Sequence, residues 1–423
     1  MTAPAAAGKD AWSLDDAERY LLSLELFGMR FGLDRIRRLL TALGSPQEGF
    51  ESIHVVGTNG KSSTVRMIAT ILERHGVRTG AYLSPHLVSF AERVRVDDRE
   101  VDGNALAGAV ARAARAAQLV ERNLPDDDRV TQFEALTAAA YFELAQEGVE
   151  VAVVEAGLGG RFDATNVIES RVQVLTNVGL EHSRWLGPTI ADIAREKLAV
   201  VRPSGTLVVG ADLHPDAARE AVATCERLGA RLVIAPADAG VELRARGSYQ
   251  RRNFAVAVAA ARAFLGDLDD AAVADTAATV EVAGRFQTVG ERPLTILDGA
   301  HNPAGFAALV DALDELPEGA PLVAVVSILD DKDAPGMLAA LLPRATRCVY
   351  TASTSPRALS PATLASLGEQ LGGPPADLEP DPHRALALAR ELAGPDGVVL
   401  ATGSIYLVAD LLAAPGERTR STL

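Results

Sequence analysis

Gly57-Thr58-Asn59-Gly60-Lys61-Ser62-Ser63 stands between an apolar run ending at Val56 and the helical-looking VRMIATILERHG. A strand, a glycine-rich turn and a helix opened by a lysine and two serines make a phosphate cradle. The glycines let backbone amides turn inward, the helix N-terminus favours negative charge, and Lys61 reaches the outer phosphates. The match to the long P-loop pattern is incomplete, because Val55 occupies the position where that pattern has its first glycine. An ordinary β–α turn with a surface lysine is the alternative. The strand context and the complete string favour a bound nucleotide.

Three further strings carry groups that a nucleotide reaction needs. VAVVEAGLGGRFDATN, residues 151–166, brings Glu155 to the end of an apolar strand, and the glycines behind it imply close approach of backbone to ligand. A carboxylate at that edge can hold magnesium on nucleotide phosphates, although a lone one is as often merely solvated. TNVGLEHSRWLGPTIADIAREKLAVV places His182 after a strand and Lys197 on the following helix. LDGAHNPAG puts Asp298 at a strand end and His301 and Asn302 at the start of a helix. These suit polar ligand recognition, with simple helix capping as the competing use of Asp298 or Asn302.

The elements that must position these groups are short apolar runs alternating with helical stretches. SIHVVG, TGAYL, VAVVEAG, VQVLTNVG, TLVVG and RLVIA read as buried strands of a mostly parallel sheet covered on both faces. AERYLLSLELFGMRFGLDRIRRLLTALG is a helical preamble to it. A second α/β series runs through LTILDGAHN, PLVAVVSI, RCVYTAS and GVVLATGS, and DTAATVEVAGRFQTVGERP lies between the two. The chain therefore reads as two α/β domains, 1–283 with the phosphate loop and 284–423 with the smaller sheet, consistent with 423 residues.

Composition narrows the class. A hydrophobic fraction of 48% and a charged fraction of 23% describe a globular chain. The 41 basic and 56 acidic residues leave a net charge of −15, which argues against a nucleic-acid or anionic-membrane footprint. No apolar run approaches a spanning helix, MTAPAAAGKD is unlike a secretory leader, and that segment and APGERTRSTL read as frayed tails. Cys225 and Cys348 form no metal spacing and suit a reducing compartment, so the expected setting is cytoplasmic.

The ordered set GTNGKSS, SPHL, EAGLGGRFDATN, GLEH…LG…EK, GRFQ, DGAHNP, DKD and TGSIYLV resembles the folylpolyglutamate synthase/dihydrofolate synthase family, relatives of the Mur ligases, over roughly residues 20–412. Each string is weak alone; eight in order are specific. The resemblance implies a P-loop Mur-ligase-type domain followed by a Rossmann-like domain, and an ATP-dependent amide ligase. In such an enzyme a carboxylate of dihydropteroate or of a reduced folate attacks the γ-phosphate of ATP, and the amine of L-glutamate then displaces phosphate. It also implies a monomer.

By position, the resemblance assigns Gly57, Thr58, Asn59, Gly60, Lys61, Ser62 and Ser63 to the phosphates. Asn253, Arg285 and Asp298 hold ATP, and Thr131 and Phe133 of TQFE line the pterin site. Ser84, Glu155, His182 and Lys197 hold two magnesium ions, with Lys197 carbamylated so that a cation becomes a carboxylate-like ligand. His301 is placed near acyl transfer. Departures from the family pattern are Ser62 after Lys61, which leaves Ser62 or Ser84 as magnesium ligand, Glu181 before His182, Ala283, and the SRW and LAV flanks. Another Mur-type ligase with a non-folate acid is one alternative. A P-loop switch or motor is the other, and it leaves Lys197 and the second-domain strings without a job.

Overall fold

The computed structural model describes residues 12–24, 32–125 and 128–414, so the two expected terminal tails lie almost wholly outside the described residues. The first sheet has eight strands in the order β4-β3-β2-β5-β1-β6-β7-β8. They are β1 (Glu51–Val56), β2 (Thr79–Tyr82), β3 (Val94–Val96), β4 (Arg99–Glu100), β5 (Val151–Glu155), β6 (Val172–Leu175), β7 (Thr206–Val209) and β8 (Arg231–Ile234). From β2 to β8 every pairing is parallel. Ile53, Val55, Val153 and Val174 point to one face, where the helices Lys61–Arg74 and Ser248–Leu265 pack. The opposite face is covered on one side by the helices Gly103–Glu121 and Gln132–Gln146 and on the other by Ile190–Leu198 and Pro215–Leu228. Burial on both faces is why these strands read as unbroken apolar runs rather than alternating ones.

The β3–β4 hairpin escaped the sequence reading because its strands are only three and two residues long. Its turn sits on Asp97 and Asp98, both at positive φ, the geometry of a two-residue hairpin loop.

The second sheet has the order β13-β12-β11-β14-β10-β9. Its strands are β9 (Gln287–Glu291), β10 (Leu294–Leu297), β11 (Leu322–Val326), β12 (Arg347–Tyr350), β13 (Ala376–Leu378) and β14 (Val398–Thr402). Only β9 runs antiparallel, against β10. It is a largely exposed edge strand, so the apolar run that announces a buried strand is missing from the stretch the sequence left without structure. No helix among the described residues is long and apolar enough to cross a membrane. Both cysteines are free and buried.

In the first sheet β1 lies between β5 and β6, and the chain departs from it in opposite directions. Ligands gather at the carboxyl ends of strands at such a switch point. The carboxyl end of β1 is Val56, and Gly57 follows it.

Candidate active site

The loop after β1 is built around backbone that tolerates no side chain. A Cβ on Gly60 would lie 2.5 Å from the Asn253 amide oxygen, and Gly60 has a φ of +82°. A Cβ on Gly57 would lie 1.9 Å from the hydroxyl of Thr176, at the end of β6. Asn253 is thereby seated directly behind the phosphate loop, fixed by its own amide donating to Gln250 at 3.0 Å. The Asn59 amide donates to the Asn177 side chain at 2.9 Å, and Thr58 accepts from the Gly179 amide at 3.0 Å. Lys61 lies folded over the loop, donating to the carbonyls of Gly57 and Thr58, each at 3.2 Å.

Glu155 ends β5 beside that loop and is 1% exposed. Burial raises its pKa, opposed by Lys61, the Ser84 amide, the Ser62 hydroxyl and Arg285. One carboxylate oxygen accepts from Ser62 Oγ at 3.0 Å and the other from the Ser84 amide at 3.1 Å. Both serines left open by sequence thus meet at one carboxylate. Only Ser62 does so through its hydroxyl.

Lys197, 4% exposed, enters from the helix Ile190–Leu198 and donates to the Gly57 carbonyl at 2.8 Å. Burial, then Lys61, push its amine down to about 7. The glycine loop after Glu155 packs onto this helix so tightly that a Cβ on Gly160 would meet the Lys197 carbonyl at 2.7 Å. Asp163 fixes the loop, accepting from the amides of Leu158 at 2.7 Å and Thr165 at 3.0 Å.

His182 takes a left-handed conformation, φ 50°, at the start of the short helix Ser183–Leu186. Burial lowers its pKa. Its neighbour Glu181 faces three nitrogens, those of His182 at 3.5 Å, His301 at 3.4 Å and Lys332 at 3.8 Å. The last two come from the second sheet's side. Burial raises the Glu181 carboxyl, but His301, then His182 and Lys61, hold it well below the usual range.

The string after β10 supplies the rest. Asp298 accepts from the Tyr249 hydroxyl at 2.7 Å, the Phe286 amide at 2.8 Å and the Ala300 amide at 2.8 Å. Its oxygens therefore tie the linker and the second sheet to the first half, a structural duty beside the expected contact with ATP. Arg285 lies under Gly299, where a Cβ would be 2.3 Å from its guanidinium. His301 Nδ1 faces the Gly299 carbonyl at 2.9 Å and so carries the hydrogen there. Asn302 caps the helix Pro303–Ala312 and exchanges amide hydrogen bonds with Asn59 at 3.0 and 3.3 Å.

All the residues expected from sequence except Thr131 and Phe133 surround the phosphate loop. Those two line the same cavity of about 980 Å³ further along. The Thr131 hydroxyl is committed to a capping box with Glu134, which Arg35 holds at 3.2 Å. Its part in the pocket is therefore to set the helix that carries Phe133, whose ring touches the bare face of Gly157. The T-x-x-E spacing could have disclosed this. Lys332, Tyr249, Arg357 and Arg93 also line the cavity and were not singled out by sequence.

A nearly buried carboxylate, serine hydroxyls, an imidazole and a buried amine form a hard oxygen-and-nitrogen donor set beside a phosphate cradle. It fits a magnesium-like cation.

Two family models match this chain, "Mur ligase middle domain" over residues 55–233 and "Mur ligase, glutamate ligase domain" over residues 284–405. A curated relative, "Probable bifunctional folylpolyglutamate synthase/dihydropteroate synthase" of Haloferax volcanii, is 36% identical over 93% of this chain, which spans only 50% of that protein. "Folylpolyglutamate synthase" of Lacticaseibacillus casei is 35% identical over 88% of this chain and 92% of its own. Among solved structures, Mycobacterium tuberculosis folylpolyglutamate synthase complexed with ADP has a TM-score of 0.88 at 31% identity, covering 96% of this chain and 99% of that one. The bifunctional folylpolyglutamate synthase/dihydrofolate synthase of Yersinia pestis, complexed with AMPPNP and a Mn ion, has a TM-score of 0.84 at 30% identity, covering 96% and 99%.

Proposed function

This chain belongs to the folylpolyglutamate synthase/dihydrofolate synthase family of Mur-type ligases, and from that premise we propose how its cleft joins L-glutamate to a pterin-bearing acid. It is an ATP-dependent ligase that uses a nucleotide and a divalent metal. The observation that carries the proposal is the convergence of Lys61, Glu155, Lys197 and Asn302 on one loop between two sheets.

ATP lies on residues Gly57 to Ser63, with Asn253 behind the loop and Arg285 and Asp298 closing from the linker side. Ser62 or Ser84 with Glu155, and His182 with a carbamylated Lys197, would hold two divalent ions. When bound, these offset charge as the γ-phosphoryl moves. The burial of Lys197 beside Lys61 supports carbamylation, since an uncharged amine can add to carbon dioxide where an ammonium cannot.

The flat ring of the acid rests against Phe133 and Gly157, and its carboxylate oxygen attacks the γ-phosphorus, releasing ADP. The glutamate amine then attacks the acyl carbon and phosphate departs. Contacts between the halves exclude water from the acyl phosphate. We place the domain boundary at 283/284 and assign the enzyme a monomeric, cytoplasmic setting.

The test is a paired assay with ATP, magnesium and labelled glutamate, one arm with dihydropteroate and one with a reduced folate monoglutamate. Product in both arms means both reactions reside in this chain; product in one names its acid. Product in neither, from folded ATP-binding protein, overturns the proposal and directs the search to other amino-acid ligase substrates.

A further inference from the structure

Arg93 ends the short helical turn Phe90–Arg93 and leads into β3, is 1% exposed, and lines the large cavity. Among the described residues its side chain makes one hydrogen bond, from Nε to His86 Nδ1 at 2.8 Å. A histidine nitrogen that accepts carries no proton, so this bond supplies no counter-charge. The face of Phe90 is 5.3 Å away, and Nη2 is buried without a partner.

The carboxylates nearby are committed elsewhere. Glu92 accepts from the amides of Leu87, Val88 and Ser89 at 2.6–2.8 Å, which holds it at the turn. Glu155 is committed to Ser62 and Ser84. Other cations of the cavity are satisfied within the protein: Lys61 and Lys197 on carbonyls, Arg35 on Glu134, Lys332 on Glu181. Burying a guanidinium without an anion is costly, and the cost is offset when a ligand brings the charge.

Its location selects the ligand. Arg93 lies in the field of Tyr82 and Glu155. The Tyr82 ring is 6.2 Å from that of Phe133, which packs on Gly157. Arg93 therefore stands between the wall assigned to the acid's ring and the carboxylate assigned to the cation. Both flanking elements belong to the first sheet, and Tyr406 of the second half faces Arg93 across the cleft.

Resting on the ligase reading above, we propose that Arg93 binds the reacting carboxylate of the acid substrate. It is the group that aims one carboxylate oxygen at the γ-phosphorus of ATP. A planar guanidinium suits this task because it grips a carboxylate through paired N–H bonds and fixes its orientation.

The test compares binding of dihydropteroate, or the folate monoglutamate if that is the acid used, with its neutral carboxamide at the reacting position. Wild type, Arg93→Met and Arg93→Lys are measured by calorimetry, alongside KM values and thermal melting. Wild type is expected to prefer the acid by about tenfold or more, the scale of one charge-assisted bond. Arg93→Met is expected to bind both forms alike, with KM for ATP and glutamate nearly unchanged and no loss of melting temperature. Arg93→Lys is expected to retain part of the preference. An Arg93→Met protein that keeps the full acid preference, or whose KM rises for glutamate instead, overturns the assignment. Failure of the ligase reading is separate: wild type itself would then incorporate no glutamate with either acid.

Discussion

Asn59 and Asn302, separated by 243 residues, exchange reciprocal amide hydrogen bonds across the cleft. Asn59 is in the phosphate loop and Asn302 caps a helix of the second half, so nucleotide binding and domain approach share one contact. Because each amide satisfies the other, removing either strands its partner. Asn59→Ala and Asn302→Ala should each lower kcat/KM for ATP severalfold. The double variant should be little worse than either single one, a coupling of about 1 kcal/mol. Strictly additive losses in the double-mutant cycle would show that the pair does not act as a unit.

Lys197 touches the phosphate loop only through the Gly57 carbonyl, at 2.8 Å. A lysine kept for packing or for that bond would be served in part by methionine or arginine. One kept as a carbamate would not. Lys197→Ala should lose amide formation by roughly two orders of magnitude or more, the scale of a lost electrostatic stabiliser. Added acetate or propionate should restore part of it to Lys197→Ala and none to Lys197→Arg. Full activity in the alanine variant would remove Lys197 from the chemistry, and carbon-13 NMR with labelled bicarbonate reads the modification directly.

His54 on β1 is wholly buried, facing the Thr165 hydroxyl at 2.8 Å, and Thr165 in turn donates to Asp163. Burial drives its pKa from 6.5 to about 3. An unfolded chain binds this proton below pH 6.5 while the folded chain refuses it until about 3, so stability falls as pH drops across that window. The loss is about 1.4 kcal/mol per pH unit at most. His54→Gln should give a shallower acid-side slope in urea unfolding between pH 6.5 and 4, even if it is less stable at neutral pH. Parallel slopes for the two proteins would mean His54 already titrates freely in the folded state.

What the sequence disclosed follows from the range of each physical signal. The phosphate loop is local chemistry, with glycines, a lysine and a helix start inside seven residues, and the structure puts those groups on one turn. The parallel strands announce themselves through burial on both faces, whereas β9 on an exposed edge does not. Contacts formed by distant residues were invisible. Nothing near Asn59 points to Asn302, and Glu181 was noticed only as a departure from a family pattern. Arg93 was hidden differently: in SFAERVRV it looks like one of many surface arginines. Only the commitment of Glu92 to three amides shows that it has no local counter-ion.

Glu181 is the remaining contact between the halves with a direct reading. One of its carboxylate oxygens, Oε1, faces His182 from its own half and His301 and Lys332 from the other, all within 3.8 Å. Its negative charge draws the second half toward the residue assigned to the metal. Glu181→Gln keeps the shape and removes that charge, leaving two imidazoles and an ammonium with weaker attraction. The phosphate loop itself belongs to the first half, so ATP affinity should fall less than kcat. Formation of the closed, reacting state should suffer, with kcat down about tenfold or more, as expected when a largely buried carboxylate facing an ammonium and two imidazoles is neutralised. Glu181→Asp keeps the charge on a shorter arm and should fall between the two. A Gln variant whose kcat matches wild type while its ATP affinity collapses would assign Glu181 to nucleotide binding instead of closure.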